Sequence, residues 1–428
     1  MPASLDRRQF IRLGTGAVVV VGLGACSRDT ATRYSSASAA PTTVAVTGAS
    51  TQATAAPTTV PATLPAPGGV LAGRRLVVVQ LNGGNDLLNS LPPGDGRYRD
   101  LRPTLAIPES DVLSLVGVDD AGLHPSLAAL LPAWDAGELA IIRGIGFEVP
   151  NRSHFVSMDR WWRADELTQP GWLGRVLDSV PVEPSPLFAT ALGGGAPVLS
   201  GRVVQPTVIA NAGSFRWVGV EPAWVDAMGG DGNDLVGMAR HALRRTVQAV
   251  EEFAEITGGS ATADELPTRE GGATIADGLE VAAQMLAADV GTQLVVVSAG
   301  GFDTHAGQQA VHAELLADLG DGIAAFNAAM AAAGLADEVL LVVTSEFGRR
   351  AAENGSGGCD HGAGGLSLAV GRGVRGGMFG EVDLGNLLDG DVRPSVAPQA
   401  LFTQCLDWLG ADAEQVLGRR DEGLALLR

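Results

Sequence analysis

The chain has 428 residues, and its 48 acidic residues outnumber its 29 basic residues, which gives a formal net charge of −19. Every basic residue is an arginine, so the sequence excludes chemistry that needs a lysine, such as a Schiff base or a phosphate-loop lysine. The acidic balance argues against nucleic acid or an anionic membrane surface as a partner, because both require clustered positive charge.

Residues 1–26 have the pattern of a twin-arginine export signal. Arg7 and Arg8 precede an apolar run over residues 13–25 that is too short to span a membrane, which takes about 20 residues. The run ends in Leu-Gly-Ala-Cys26, which resembles a lipobox, so we expect cleavage before Cys26 and acylation of its sulfur. A plain cleavable signal with an incidental cysteine is the alternative. The segment predicts export by the twin-arginine translocase and a lipid anchor that holds the protein at the membrane, in the extracytoplasmic cell envelope.

Residues 27–72 differ sharply in composition from the rest of the chain. Thr, Ala, Ser and Pro make up 32 of these 46 residues, and large apolar side chains are almost absent. Such a segment cannot bury enough apolar surface to offset the entropy of ordering, so it is predicted to be a disordered tether. As a flexible coil it would reach about 35 to 40 Å.

Residues 73–428 alternate short apolar runs with longer amphipathic segments, which predicts a single α/β domain with a largely parallel sheet. The predicted strands are 75–81, 139–145, 187–192, 207–210, 293–298, 339–344 and 366–370. The predicted helices are 124–136, 155–164, 233–256, 273–288, 308–333 and 398–409.

Acidic residues and histidines follow several of these strands. They are Asp86 after the first strand, Asp303 and His305 after the fifth, Glu346 after the sixth, and Asp360 and His361 in a later glycine-rich loop. Ligands bind beyond the carboxyl ends of parallel strands, and oxygen and nitrogen donors that meet there suit a divalent metal. The alternative is that each acid only caps the helix or turn that follows it.

Ser153 lies where a predicted helix begins, between Arg152 and His154. Backbone N–H groups at that position favour negative charge, so Ser153 is a candidate nucleophile and its two neighbours are candidate catalytic residues. The alternative is an ordinary helix cap, with His154 packed or exposed. Arg152 and Arg349 could hold an anionic ester through two hydrogen bonds each, or form salt bridges with the abundant acids.

The motifs GGND, RSHF, GWLGR, GGFDTH, SEFGR and CDHGAGG, in this order, resemble the exported bacterial family called domain of unknown function 1501. That family resembles the alkaline phosphatase superfamily, which includes sulfatases. The resemblance implies a three-layer α/β sandwich with a largely parallel central sheet and a metal site. It implies Ser153 as nucleophile and Asp86, Asp303, His305 and His361 as metal ligands. Glu346 stands where the superfamily has an Asp-His pair, and Asp360 is a further candidate ligand.

The function expected from these residues is hydrolysis of a small anionic phosphate or sulfate ester with a divalent metal, namely zinc, manganese or calcium. A standard sulfatase is not expected, because the Cys-x-Pro-x-Arg signature is absent. The competing interpretation is a non-catalytic, surface-tethered binding or assembly protein with the same fold. Cys359 and Cys405 are open to pairing or to remaining free, and Cys359 to contacting the metal. His241 and His312 are expected to be surface or packed residues, and His124 to start a helix.

Overall fold

The structure is a computed structural model that describes residues 71, 73–180, 184–212, 215, 235–258, 274–288 and 290–428. The predicted signal segment and nearly all of the predicted tether therefore lie outside the described residues. Leu71, assigned to the tether from composition, is buried, and its backbone N–H donates to the carbonyl of Leu409 at 2.8 Å. Leu71 therefore packs against the α/β domain.

The secondary structure alternates strands and helices as the periodicity predicts. The strands are β1 (Arg75–Leu81), β2 (Leu113–Ser114), β3 (Gly122–Leu123), β4 (Leu139–Ile145), β5 (Ala189–Leu192), β6 (Thr207–Ile209), β7 (Leu294–Ala299), β8 (Val339–Ser345), β9 (Gly365–Val370) and β10 (Gly377–Phe379). The helices are α1 (Leu87–Ser90), α2 (Arg97–Leu101), α3 (Leu131–Asp135), α4 (His154–Arg163), α5 (Trp172–Leu177), α6 (Leu235–Ile256), α7 (Ile275–Ala287), α8 (Gln308–Ala332), α9 (Pro398–Trp408) and α10 (Ala413–Leu417). Two 3₁₀ helices cover Pro125–Leu130 and Pro197–Leu199.

One sheet has eight strands in the order β10-β4-β9-β8-β1-β7-β5-β6, and β2 pairs with β3 separately. Within the described part of the chain, β9 is the one strand of the large sheet that runs antiparallel to its neighbours, β4 and β8. The predicted, largely parallel α/β sheet is therefore confirmed. The carboxyl ends of β1, β4, β7 and β8 and the amino end of β9 all lie at one edge of the sheet.

Each face of the sheet has its own hydrophobic core, which makes the domain a three-layer sandwich. In β1, Val77 and Val79 enter the core that includes residues of α1, α6, α7 and α8. Leu76 and Val78 alternate to the other face and enter the core that includes residues of α4, α5, α9 and α10. The long helix α8 has the length and hydropathy of a membrane span, but residues along it such as Leu316 and Phe326 are buried in the first core.

Most predicted elements are present within two residues of their predicted ends. The predicted helix over 124–136 is instead a 3₁₀ helix, Pro125–Leu130, followed by α3, with a break in helical geometry at Leu127. Pro132 explains why the two do not merge, because a proline within a helix removes a backbone donor and clashes with the preceding turn. His124 starts this segment as predicted, since its Nδ1 accepts from the N–H of Ser126 at 3.0 Å.

Candidate metal centre

Four loops meet at the carboxyl edge of the large sheet. The first follows β1, the second follows β7, the third leads from β4 to α4, and the fourth is the connection from β8 to β9. Gly83, in the first loop, has φ of +122°, and a Cβ there would lie 2.3 Å from the backbone nitrogen of Asp303. Glycine at this position therefore lets the first loop pack directly against the second. Gly358 does the same for the fourth loop, where a Cβ would lie 2.3 Å from the carbonyl carbon of His305.

Asp303 is the centre of a cluster of histidines. Its Oδ1 lies 3.0 Å from Nε2 of His361 and 3.0 Å from Nε2 of His305. Its Oδ2 lies 3.5 Å from Nε2 of His154. One ligand atom each from His154, Asp303 and His361 lies within 4.8 Å of the others, so one metal ion could contact all three.

The second nitrogen of each histidine ring has a partner that fixes its proton. Nδ1 of His361 lies 2.7 Å from the carbonyl oxygen of Arg152, which can only accept a hydrogen bond. Nδ1 of His305 lies 3.0 Å from Oδ1 of Asp360, and Nδ1 of His154 lies 2.7 Å from Oε1 of Glu346. Each Nδ1 is therefore the donor, and in a neutral ring Nε2 carries a lone pair.

These lone pairs converge, and the donor near them is Nη1 of Arg349, 3.5 Å from Nε2 of His305. The Nε2 atoms of His305 and His361 are 2.8 Å apart. Nε2 of His154 is buried and has no hydrogen-bond partner among the described residues. Lone pairs beside a carboxylate repel one another unless positive charge lies between them, supplied by a metal ion or by a proton on a ring. Histidines whose Nδ1–H groups are held by carboxylates or carbonyls are typical of metal sites.

Arg349 forms a hydrogen bond that holds the side chain of Asp303 in place. Its side chain is fully buried, and Nη2 donates to Oδ1 of Asp303 at 2.6 Å. It also donates to the backbone carbonyls of Gly83, Gly84, Phe302 and Cys359, and its Nη1 lies 3.5 Å from Nε2 of His305. Burial raises the pKa of Asp303, but the hydrogen bond and charge of Arg349 act against it, and the pKa falls to about 2. Arg349 therefore joins three loops and keeps Asp303 ionised. Because its guanidinium is buried, it does not face an incoming ester.

Glu346 and Asp360, predicted as metal ligands, lie behind the histidine rings. Oε1 of Glu346 accepts from the N–H of Gly83 at 2.9 Å as well as from His154, and its side chain is fully buried. Oδ1 of Asp360 accepts from Nδ2 of Asn354 at 3.1 Å as well as from His305. In this arrangement both carboxylates orient histidines.

Asp86, also predicted as a metal ligand, is bound by other groups. Its Oδ2 forms a buried ion pair with Nη1 of Arg102 at 2.6 Å and accepts from Gln308. Its Oδ1 accepts from the N–H groups of Leu88 and Asn89, so Asp86 caps α1. Burial raises the pKa of Asp86, but Arg102 outweighs burial and lowers it to about 2. Asp86 therefore caps a helix, which is the alternative that the sequence left open for each of these acids.

Ser153 lies at the N-cap of α4, and its hydroxyl makes no capping hydrogen bond. Its backbone N–H donates to Oδ1 of Asn151 at 2.8 Å. Arg152, on one side, is paired with Asp391 at 2.8 Å and with Asp389 at 3.2 Å. Arg152 therefore forms salt bridges, which was the alternative to binding an ester. The hydroxyl of Ser153, the residue before His154, is not engaged in capping α4.

Three further predictions concern histidines and cysteines outside the cluster. His312 is buried, as the packed interpretation predicts, with Nε2 2.9 Å from Oδ1 of Asn85. Cys359 and Cys405 are both buried and free, and burial raises the pKa of each thiol to about 12. Sequence reasoning missed Arg102 entirely, because nothing in residues 97–102 separates it from Arg97 and Arg99. His154, predicted as a catalytic residue, has its ring grouped with Asp303 and His361.

The family model described as "Protein of unknown function (DUF1501)" matches residues 151–425. No curated protein matches the chain.

Similar solved structures include a phosphonate monoester hydrolase from Silicibacter pomeroyi, with 12% identity, a TM-score of 0.32, and coverage of 82% of this chain and 78% of that one. An alkaline phosphatase from the Antarctic bacterium TAB5 has 12% identity and a TM-score of 0.30, covering 79% of this chain and 98% of that one. A lipoteichoic acid synthase from Listeria monocytogenes has 8% identity and a TM-score of 0.34, covering 79% and 72%. These values are too low to transfer residue roles.

Proposed function

The chain belongs to the DUF1501 family, and we propose that it is an exported, metal-dependent hydrolase of phosphate or sulfate esters. The proposal includes export by the twin-arginine translocase and attachment to the membrane through a lipid on Cys26, as the N-terminal segment predicts. One observation carries the proposed chemistry: the Nε2 atoms of His154, His305 and His361 each lie within 3.5 Å of a carboxylate oxygen of Asp303, while every Nδ1 is held by another acceptor.

The donor set fits a transition metal better than calcium. Three imidazole nitrogens and one carboxylate suit zinc, iron or manganese, whereas calcium takes six to eight oxygen ligands. Of the metals predicted from the sequence, we propose zinc or manganese and exclude calcium. Asp86 and Glu346 have their oxygens engaged by Arg102 and His154, so we propose one ion per chain. When bound, such an ion acts as a Lewis acid on the ester.

The surrounding residues hold this centre in one geometry. Glu346 and Asp360 keep the Nδ1 protons of His154 and His305 in place and thereby aim Nε2 at the centre. Arg349 keeps Asp303 ionised. We propose that the Ser153 oxygen attacks the phosphorus or sulfur as the ester bond to the alcohol breaks, and that water then hydrolyses the resulting serine ester; in the alternative, a water attacks directly. In either route the proton of the attacking hydroxyl or water passes to the departing alcohol oxygen. The first N–H groups of α4 lie where negative charge on the transferring group would be stabilised.

The alternative is a non-catalytic binding or assembly protein. One observation favours it: Arg349 is buried and Arg152 is paired with Asp391 and Asp389, so neither predicted clamp is available in this state. Anion binding must then depend on the metal and on the beginning of α4.

The first test is metal content. Elemental analysis of the purified protein, before and after incubation with zinc or manganese, is expected to give one ion per chain. His361→Ala and Asp303→Asn are expected to lose it, and His241→Ala, a histidine on α6 outside the cluster, is the matched control. A wild-type protein that binds no metal would refute the proposed centre.

The second test is turnover by the metal-loaded protein. We expect hydrolysis of 4-nitrophenyl phosphate, bis(4-nitrophenyl) phosphate or 4-nitrophenyl sulfate, and its loss in Ser153→Ala if Ser153 is the nucleophile. A metal-loaded protein that hydrolyses none of these esters would support the non-catalytic alternative. A Ser153→Ala protein of unchanged activity would assign the attack to water.

A further inference from the structure

Three exposed apolar side chains lie on the first turn of α4, which carries His154, and in the loop just before it. They are Val149, Phe155 and Val156, with exposed fractions of 74%, 87% and 39%, and we call them the apolar rim. Burying such a side chain is worth about 1.5 to 3 kcal/mol, so an apolar group that packed on the rim would gain affinity.

The rim is continuous with the centre along the chain. Phe155 directly follows His154 in the first turn of α4. The carbonyl of Val149 accepts from Nη1 of Arg160 at 2.7 Å, which holds the preceding loop against the helix. Val156 lies one turn before Arg160 and therefore on the same side of the helix. The rim residues thus lie on and beside the helix turn that presents His154 to the centre.

The charges around the centre disfavour a substrate with many negative charges. The side chains of Asp303, Asp360 and Asp389 are exposed by 48%, 57% and 81%. The whole chain carries a formal net charge of −19. Because the nearby Arg152 and Arg349 are already paired with acids, electrostatic attraction cannot supply much affinity for a polyanion.

We propose that the substrate is a phosphate or sulfate monoester whose alcohol part is a bulky apolar group, and that this group packs on Phe155 and the rest of the apolar rim. The proposal rests on the proposed ester hydrolase activity and names its substrate class. In this proposal the metal and the start of α4 bind the single anionic group. Apolar contact with the rim adds affinity for an apolar alcohol part, whereas a polar alcohol part would gain nothing from the acidic surroundings.

The test compares ethyl phosphate with hexyl phosphate, which have similar leaving groups and differ in apolar length. For the metal-loaded full chain we expect kcat/KM to be at least tenfold higher for hexyl phosphate. Phe155→Ser is expected to remove most of this preference by lowering kcat/KM for hexyl phosphate more than for ethyl phosphate. Phe155→Leu should keep most of the preference. Val203→Ser, which changes an 84% exposed valine outside the rim, is the control and should keep all of it.

Three outcomes separate the rim from the proposed activity. If neither ester is hydrolysed, calorimetry of the zinc-loaded protein with the same two phosphates measures the preference directly, so failure of turnover does not decide the matter. Equal binding or turnover of the two esters by the wild type, or an unchanged preference in Phe155→Ser, overturns the proposal. Loss of binding to phosphatidylcholine vesicles in Phe155→Ser with no change in ester preference also overturns it, because the rim would then contact a membrane.

Discussion

Asp86 and Arg102 form an ion pair that is removed from solvent, with side chains exposed by 1% and 0%. Arg102 also donates to Oδ1 of Asn89 at 2.7 Å and to the carbonyls of Arg350 and Ala351, each at 2.9 Å. Replacing Arg102 with methionine keeps much of the volume but leaves the Asp86 carboxylate buried without its counter-charge. Breaking a buried pair in this way costs about 3 to 5 kcal/mol, a large part of the usual stability of 5 to 15 kcal/mol.

Urea unfolding followed by tryptophan fluorescence measures this loss. Arg420→Met is the matched control, because Arg420 pairs with Asp407 at 2.7 Å but the two side chains are exposed by 41% and 26%. An exposed pair contributes about 0 to 1 kcal/mol, so the control should be close to wild type. The double variant Asp86→Asn, Arg102→Met should regain part of the lost stability, because no buried charge remains. Equal losses for Arg102→Met and Arg420→Met would refute the reasoning.

The same pair decides whether Asp86 is a metal ligand. Since both oxygens of Asp86 are bound by Arg102, Gln308 and the N–H groups of α1, Asp86→Asn should bind as much zinc as we expect of the wild type, one ion per chain. Its free energy of unfolding should still fall. A folded Asp86→Asn protein without zinc would restore Asp86 as a ligand and contradict the placement described here.

Three other predictions follow from the site. Glu346→Gln loses the charged acceptor that orients His154, so zinc affinity should fall about 10- to 100-fold in a competition titration with a chelator. Gly83→Ala should lower the free energy of unfolding by more than about 1 kcal/mol, because a Cβ would lie 2.3 Å from the backbone nitrogen of Asp303; unchanged urea unfolding would contradict this. The pKa of Asp86 is lowered from 3.8 to about 2, so its stabilisation is complete above about pH 4 and is lost as the pH falls through 2. Urea unfolding between pH 5 and 2 should show this decline in wild type and a smaller one in Asp86→Asn.

The strands and long helices were predictable because their apolar residues repeat with clear periods. β1 and β8 are continuous apolar runs, which is typical of strands covered on both faces, and their bounds were predicted within one residue. The reversed direction of β9 was not stated from the sequence. Residues 346–364 contain no helix, so the chain cannot cross over and returns beside β8 in the opposite direction.

The sequence predicted which residues lie at the site better than it predicted what each of them contacts there. Asp86 and Asp303 both follow parallel strands, and nothing in the local sequence separates them. Their roles are decided by Arg102 and Arg349, which lie 16 and 46 residues away along the chain. The role of Glu346 is likewise decided by a distant residue, since it pairs with His154, 192 residues away along the chain. Contacts of this range depend on how loops pack at the sheet edge, and strand-end spacing carries no information on them.

The contacts of the buried arginines are of a kind that lysine could not make. Arg102 and Arg349 are both fully buried, and each joins a carboxylate to backbone carbonyls from separate loops. A planar guanidinium with five donors can make such connections, whereas the ammonium of a lysine has three donors at a single point. Because these arginines serve the loops, they are not available to a substrate anion. The site can then bind an anion strongly only if positive charge is added among the lone pairs around Asp303, which is why the metal, and not an arginine clamp, is central to the proposed activity.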